Sequence, residues 1–299
     1  MSTPDALLDD RQESDEHKTG QALAAQRFQM LSDIAKELSG DVVFPTCFDV
    51  AIRLRQVLDS PDASVDQVCR VLVLDPLISS KVLGLANSVA FNTGSGVEVR
   101  DLKSAVQRLG LNNVRSVALG LAMKQLVLSK EMGAFETQAK NLWDHAIRAA
   151  CACQITAKRL TRLNPEDAFF AGLVHDIGAF YMLYRASRYS ELRKRPDSLK
   201  YLVIKWHESI GESLLHALGM PDRIVEAVHE HDHPRPFPTT PRKLADLVYL
   251  ANILVGNTAD CIFPDKIAPK QTIPELEPYL ALLPDIQASS REMMVFFTA

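Results

Sequence analysis

Residues 173–180 read LVHDIGAF, a His-Asp pair enclosed on both sides by apolar residues. The surrounding pattern predicts that the pair is buried. An ionised carboxylate is costly to bury unless it is hydrogen-bonded, ion-paired or bound to a cation. His175 and Asp176 must therefore find their partners in other parts of the chain, and the fold has to bring those parts together.

Helical spacing of apolar residues continues through most of the chain before this stretch. SVDQ (64–67) forms a capping-box pattern ahead of one short helix, and Asp75-Pro76 is typical of the start of the next. Gly110 separates two further apolar segments, where glycine can end a helix and Asn112 or Asn113 can cap the following one. Because no β-hairpin signal stands out, the sequence predicts an all-α fold.

The second half of the chain repeats this helical pattern. Helical spacing resumes near Asn141, Pro165 is predicted to begin the helix that carries LVHDIGAF, and the prolines of HPRPFPTTP (233–241) require a loop. The predicted organisation is an acidic flexible tail and two helical subdomains, closed by short helices packed on the second, with bounds at 1–24, 25–135, 136–255 and 256–299.

Composition excludes several classes of protein. The net charge of −4 in 299 residues comes from the acidic first twenty residues, so the remainder has no positive field that would hold nucleic acid, and a nucleic-acid partner is not expected. The helix after Gly110 is also too apolar for DNA recognition. No transmembrane run or secretion signal is evident, which predicts a cytoplasmic protein without a membrane partner. The five cysteines lack metal-site spacing and are interpreted as small buried residues.

Seven of the eight histidines lie in the second half of the chain. His216 and His233 are interpreted as structural residues. The remaining candidates lie on separate predicted helices or helix ends, and imidazole and carboxylate groups from several helices can form a Mn, Fe, Mg or Zn site. These candidates are His145, His175, Asp176, His207 and His231.

Over residues 40–255 the sequence resembles the HDOD domain, a branch of the HD superfamily of helical phosphohydrolases. The segments that carry the resemblance occur in the family's order. They are FPTCFDVAIRLRQVLDSPDASVDQVCRVLVLDPLISSKVLGLANS (44–88), AVQRLGLNNVRSVAL (105–119), LWDHAIRAA (142–150), FFAGLVHDIGAF (169–180) and HESIGESLLHALGMPDRIVEAVHEHDHP (207–234).

The resemblance implies a set of metal ligands. In catalytically active HD proteins these are a first histidine, the His-Asp pair and a later aspartate, with further histidines in some subgroups. In this sequence the first histidine corresponds to His145 and the pair to His175-Asp176, while His207 and His231 match the additional histidines. Asp232 stands in place of a histidine, and Asn252 stands in place of the final aspartate.

Besides Asp232, the sequence departs from the active enzymes in three ways. Asn252 supplies a neutral oxygen where they have a carboxylate, and Asp246 lies about 120° away around the helix, so it cannot replace that residue. Ala179 stands where active enzymes often have lysine. The Gly-Tyr-Pro segment of cyclic-di-GMP phosphodiesterases is absent from the sequence.

These departures favour a non-catalytic regulatory module that acts through protein–protein interaction. It would require no cofactor, although the site could hold a divalent metal (Mn, Fe, Mg or Zn). The resemblance implies other signalling proteins as partners, in a two-component or cyclic-dinucleotide pathway. The alternative is a metal-dependent phosphohydrolase or phosphodiesterase acting on a nucleotide or phosphoester, with Lys205 and Arg148 as the nearest candidates for contacting the phosphate.

Overall fold

The computed structural model describes residues 21–39, 48–58, 60, 62–88, 98–229, 231–263 and 274–298. The structure is 80% helical and the residues described contain no strand, which confirms the all-α prediction. Within the same ranges, none of the helices is both long enough and apolar enough to cross a lipid bilayer.

The described part of the first half of the chain is mostly helical. A 3-10 helix at 130–135 follows the last of them. The helices are α1 (Gln21–Ser39), α2 (Asp49–Leu58), α3 (Val65–Leu72), α4 (Pro76–Asn87), α5 (Leu102–Leu109) and α6 (Leu111–Val127). Helix α1 begins inside the segment 1–24 that was expected to be a tail, and residues 1–20 lie outside the described ranges.

Two of the predicted helix starts in this half are confirmed. The Ser64 side chain accepts a hydrogen bond from the backbone N–H of Gln67, and the Gln67 side chain accepts one from the N–H of Ser64, which completes the capping box of α3. The Asp75 carboxylate accepts bonds from the N–H groups of Leu77 and Ile78 at the start of α4. These bonds satisfy N–H groups that have no partner inside the helix.

The predicted cap of α6 is wrong. Gly110 ends α5 and is also the residue that precedes α6, with a positive φ of 79°. Because the chain reverses at this one glycine, no residue is left between the helices for Asn112 or Asn113 to act as a cap. Asn113 lies inside α6, and its amide donates to the carbonyl of Leu109 at 2.7 Å.

The described part of the second half contains helices of 4 to 25 residues. They are α7 (Glu136–Leu160), α8 (Pro165–Val174), α9 (Ile177–Ala186), α10 (Ser190–Lys194), α11 (Pro196–Ala217), α12 (Asp222–Val228), α13 (Leu244–Val255), α14 (Thr258–Ile262), α15 (Glu277–Leu280) and α16 (Leu283–Thr298). Pro165 begins α8 as predicted, whereas α7 starts before the predicted position near Asn141. LVHDIGAF is divided between the end of α8 and the start of α9.

Helix α7 lies at the centre of this half, because α8, α13, α14 and α16 all pack against it. Its buried face is rich in small residues, including Ala149, Ala150, Cys151 and Cys153. Small side chains let neighbouring helices approach closely, and these two cysteines are free and buried, in agreement with their interpretation as small core residues. For Cys69 and Cys261 that interpretation is wrong, because both are free but only partly buried. Cys47 lies outside the described residues.

Helix α16 joins the two halves. Its Phe297 ring packs edge-on against Trp143 of α7, with ring centroids 5.1 Å apart. The ammonium group of Lys81, on α4, donates to the carbonyl of Phe296 near the end of α16. The last segment of the chain therefore includes a 16-residue helix that contacts both halves, in addition to the short helices that the sequence predicts there.

Candidate metal centre

The chain bends at the His-Asp pair. His175 ends α8 and Asp176 precedes α9, with φ −100° and ψ 17°. The backbone carbonyl of Asp176 accepts bonds from the N–H groups of Ala179 and Phe180, at 2.9 and 3.2 Å. These backbone bonds begin α9 without a contribution from the Asp176 side chain. The Asp176 side chain makes no capping bond and is fully buried. The bend thus directs both side chains toward the interior.

Two glycines on either side of the pair let neighbouring helices come close to it. A Cβ atom on Gly172 would lie 2.8 Å from the backbone oxygen of Ala149, on α7. A Cβ atom on Gly178 would overlap the backbone carbonyl of His207, on α11. Because neither backbone can yield, these glycines allow α7 and α11 to bring their histidines next to Asp176.

His145, His175 and Asp176 form a first group of donor atoms. The Nε2 atoms of the two histidines are 3.0 Å apart. The Oδ2 atom of Asp176 lies 3.4 Å from Nε2 of His145 and 3.3 Å from Nε2 of His175. All three side chains are fully buried, so the group is held by the protein interior.

His207 and His231 complete a second group with the same aspartate. Their Nε2 atoms are 3.3 Å apart. The Oδ1 atom of Asp176 lies 3.3 Å from Nε2 of His231 and 3.6 Å from Nε2 of His207. Each oxygen of Asp176 therefore faces one pair of histidines, and the carboxylate is shared by both groups.

Three of the four imidazoles are held by their other ring nitrogen. The Nδ1 atoms of His175, His207 and His231 each donate to a backbone carbonyl three or four residues earlier in the chain, at 2.7–2.8 Å. Since a carbonyl oxygen only accepts hydrogen bonds, Nδ1 carries the proton and Nε2 presents a lone pair when the ring is neutral. This is the arrangement that metal-binding histidines adopt.

The donor set and its spacing fit a divalent transition metal. Atoms bound at about 2.0–2.2 Å to one ion lie about 3.0–3.5 Å apart, and the contacts in the first group span 3.0–3.4 Å. Imidazole nitrogen suits Zn and Fe, whereas Mg prefers oxygen ligands. The residues present therefore fit a bound metal.

The environment also sets the charges of the cluster. Burial lowers the pKa of His145 to about 3, and the adjacent His175 adds to this effect. Burial opposes ionisation of Asp176, but the surrounding histidines hold its pKa well below the usual range. For His231, burial is outweighed by the hydrogen bond to Asp176 and by nearby carboxylates, which raise its pKa to about 9. A metal-free cluster therefore carries an ionised aspartate and a protonated His231.

Asp232 and Asn252 lie beside the second group. The Asn252 amide donates to Oδ1 of Asp232, whose Oδ2 is 3.5 Å from Nε2 of His207. The amide oxygen of Asn252 is buried and has no hydrogen-bond partner among the residues that the structure describes. An orphaned buried oxygen is costly, so this oxygen is available to a ligand or a water molecule.

The remaining residues considered at the sequence level are not part of the cluster. Asp246 accepts bonds from the N–H groups that precede α13. His216 is exposed, and His233 pairs with Glu208 at 2.8 Å. Lys205 is exposed on α11, with its ammonium group over the ring of Tyr201.

Of the two residues predicted to contact a phosphate, Arg148 is the one whose charge acts on the cluster. It is half-buried on α7, in the same helix as His145, and its charge contributes to the lowered pKa of that histidine. Its guanidinium group lies 3.9 Å from the sulfur of Cys261.

Two residues at the site were not among the candidates predicted from the sequence. The hydroxyl of Thr258, on α14, donates to Asp176 at 2.9 Å from Oδ1 and 3.0 Å from Oδ2. Glu208 accepts a bond from the N–H of Asp232 at 2.7 Å and so fixes the loop that carries His231. The adjacency of Glu208 to His207 was a usable signal, whereas nothing in the sequence singles out Thr258.

The cluster is closed to solvent, since each of its five side chains is at most 2% exposed. Two cavities between the halves of the molecule are lined by other residues. One is bounded by Leu85, Phe170 and Met293, and the other, of about 220 Å³, by Gly110, Asn164 and Arg223. Neither cavity opens onto the histidine cluster.

Comparison with known proteins agrees with this architecture. The model of the HDOD domain matches residues 44–234. A solved structure from Shewanella amazonensis SB2B named "putative metal-dependent phosphohydrolase" is 26% identical, with a TM-score of 0.62 and coverage of 89% of this chain and 99% of that one. No curated protein matches the sequence.

Two more distant structures share the fold. A "putative signal transduction protein" from Marinobacter aquaeolei VT8 is 21% identical with a TM-score of 0.56, covering 92% of this chain and 66% of that one. An HDOD domain protein of unknown function from Geobacter sulfurreducens is 18% identical with a TM-score of 0.53, covering 90% and 98%.

Proposed function

The chain belongs to the HDOD family, and from that membership we propose that it is a non-catalytic signal-transduction module acting through protein–protein contacts. The observation that carries the proposal is the burial of the His-Asp cluster, whose side chains are at most 2% exposed. A phosphoester must reach a metal-bound water in order to be hydrolysed. A closed cluster favours a structural role over turnover.

In this proposal the cluster cross-links the second half of the molecule. His145 comes from α7, the His-Asp pair from the bend between α8 and α9, His207 from α11 and His231 from the loop after α12. We propose that a divalent cation, or a proton on His231 in its absence, supplies the positive charge that the shared carboxylate requires. The cluster would then fix the relative positions of these helices.

The proposed partners are other signalling proteins of a two-component or cyclic-dinucleotide pathway. Support for protein contacts comes from the turn between α3 and α4 and the start of α4, where Val73, Leu74 and Leu77 are 65%, 63% and 46% exposed. Adjacent apolar side chains that remain exposed are a common feature of interaction sites. The same turn has no residues that would perform chemistry.

A metal-dependent phosphohydrolase or phosphodiesterase is the second candidate. It is supported by the donor set, in which Nε2 atoms and carboxylate oxygens face one another at 3.0–3.6 Å, and by the 26% identity to the Shewanella amazonensis protein. A bound divalent cation would lower the pKa of a coordinated water and stabilise charge on the phosphoryl oxygens. Arg148 is the side chain placed to contact a phosphate from within α7.

The test is metal analysis of protein purified without chelator, followed by a phosphodiesterase assay with bis(p-nitrophenyl) phosphate and added Mn²⁺ or Fe²⁺. The regulatory proposal predicts bound metal without turnover. It also predicts that Asp176→Ala lowers metal content and stability together, since this residue is shared by both groups of donor atoms.

A matched control is Asp167→Ala, which removes a carboxylate that pairs with Arg223 at the surface, away from the cluster. This variant should keep its metal. Turnover by the wild-type protein that Asp176→Ala abolishes and Asp167→Ala preserves would establish the enzyme and overturn the non-catalytic proposal. Protein without metal would overturn the proposed cation.

A further inference from the structure

The hydroxyl of Thr258 contacts both oxygens of the shared carboxylate. Its Oγ1 lies 2.9 Å from Oδ1 and 3.0 Å from Oδ2 of Asp176. Thr258 is the first residue of α14, a helix that packs on α7 and α11, the two helices that supply His145 and His207. Asn257 caps this helix by accepting from the N–H of Asp260, so the Thr258 hydroxyl is not needed as a cap.

The nearly equal distances indicate that the Thr258 hydroxyl is shared by both oxygens of the Asp176 carboxylate. A hydroxyl has one proton, and a proton shared by two oxygens lies between them, where a chelated ion would otherwise sit. Each oxygen keeps outward-facing lone pairs. Those of Oδ2 face His145 and His175, and those of Oδ1 face His207 and His231.

We propose that Thr258 is a positioning residue for the metal centre: its hydroxyl fixes the plane of the Asp176 carboxylate so that each oxygen serves one histidine pair instead of both oxygens chelating one ion. The inference rests on the proposed role of the centre as a cation site. It assigns α14 a part in assembling that centre, although this helix lies beyond the segment matched by the family model.

A purely structural hydroxyl would behave differently, and the chain contains one for comparison. Thr156, on α7, is fully buried, and within the described ranges its hydroxyl has no hydrogen-bond partner. Substitution of threonine by valine makes the same chemical change at both positions. The effect of a lost hydroxyl on the carboxylate can thus be separated from the effect of adding a methyl group to a buried site.

The experiment measures Zn²⁺ affinity of the full chain after removal of metals, by competition with a chromophoric chelator. Thr258→Val should bind Zn²⁺ about 10- to 100-fold more weakly than the wild type, the usual effect of losing a group that orients a metal ligand. Thr258→Ser keeps the hydroxyl and should restore affinity to near the wild-type value. Thr156→Val should bind as the wild type does.

The outcomes separate this inference from the proposed function. If the wild type binds Zn²⁺ and Thr258→Val binds equally well or more tightly, the positioning role is overturned and the cation site stands. If Thr258→Ser is as weak as Thr258→Val, the hydroxyl is not the cause and the inference fails. If the wild type takes up no Zn²⁺, both the inference and the proposed cation are overturned.

Discussion

Replacing Asp176 with asparagine removes a negative charge that lies within 3.6 Å of four imidazole rings. Asparagine has the same shape and can still accept a bond from Thr258. The change therefore isolates the charge of the side chain from its volume. In protein freed of cations by a chelator, the main effect should fall on His231, whose positive charge depends most on the hydrogen bond to Asp176.

The size of the effect follows from the pKa of His231, which rises from 6.5 to about 9 in the folded protein. At about 1.4 kcal/mol per pKa unit, this rise corresponds to about 3 kcal/mol of stability. Because the pKa is raised by folding, the contribution is complete below pH 6.5 and is lost as the pH increases to about 9. Asp232 and Glu208 supply part of this rise in the pKa of His231. Asp176→Asn should therefore lower the free energy of unfolding by about 2 kcal/mol at pH 6.

The assay is urea unfolding of the metal-free wild type and Asp176→Asn at pH 6 and at pH 9.5, where the difference in free energy of unfolding should shrink. Asp167→Asn is the control, because this carboxylate pairs with Arg223 near the surface, and such pairs contribute at most about 1 kcal/mol. A variant as stable as the wild type at pH 6, or a loss of equal size at both pH values, would refute the assigned role of His231.

Three further changes test the fold and the site. Gly178→Ala places a Cβ atom against the backbone of α11 and should cost more than about 4 kcal/mol in thermal unfolding, whereas Gly133→Ala meets no atom within 4 Å and should be neutral. Asn252→Asp places a second carboxylate against that of Asp232 and should destabilise the metal-free protein by about 1–3 kcal/mol. The added charge should also raise Zn²⁺ affinity in the chelator competition. Tighter binding without destabilisation would argue against the contact between residues 232 and 252. Asp75→Ala should lower urea stability by about 1 kcal/mol through loss of the cap of α4, and an unchanged midpoint would argue against that cap.

Local chemistry made much of the fold predictable. The capping box of α3, the Asp75-Pro76 start of α4 and the start of α8 at Pro165 each depend on bonds or backbone angles within a few residues. The close approach of α11 to the His-Asp pair was not predictable in this way. It depends on Gly178 lying against the backbone of α11, which is a contact between distant parts of the chain.

The candidate site likewise has residues that could be predicted from the sequence and contacts that could not. His145, His175, Asp176, His207 and His231 could be proposed as a group because each lies on a separate helix or helix end, and the structure brings their side chains together. The pairing of Asn252 with Asp232 and the contact of Thr258 with Asp176 were missed, because each depends on how two helix ends meet in space.

The position of α14 over the His-Asp cluster helps to distinguish the signalling proposal from the catalytic one. A substrate that approached Asp176 from the side of α14 would have to displace Thr258 and break both of its contacts with the carboxylate. A structural centre needs no such opening, since its effect on neighbouring helices is transmitted through the histidines that they carry. The same hydroxyl that completes the carboxylate's hydrogen bonding therefore favours a centre that holds helices in place over one that turns over a phosphoester.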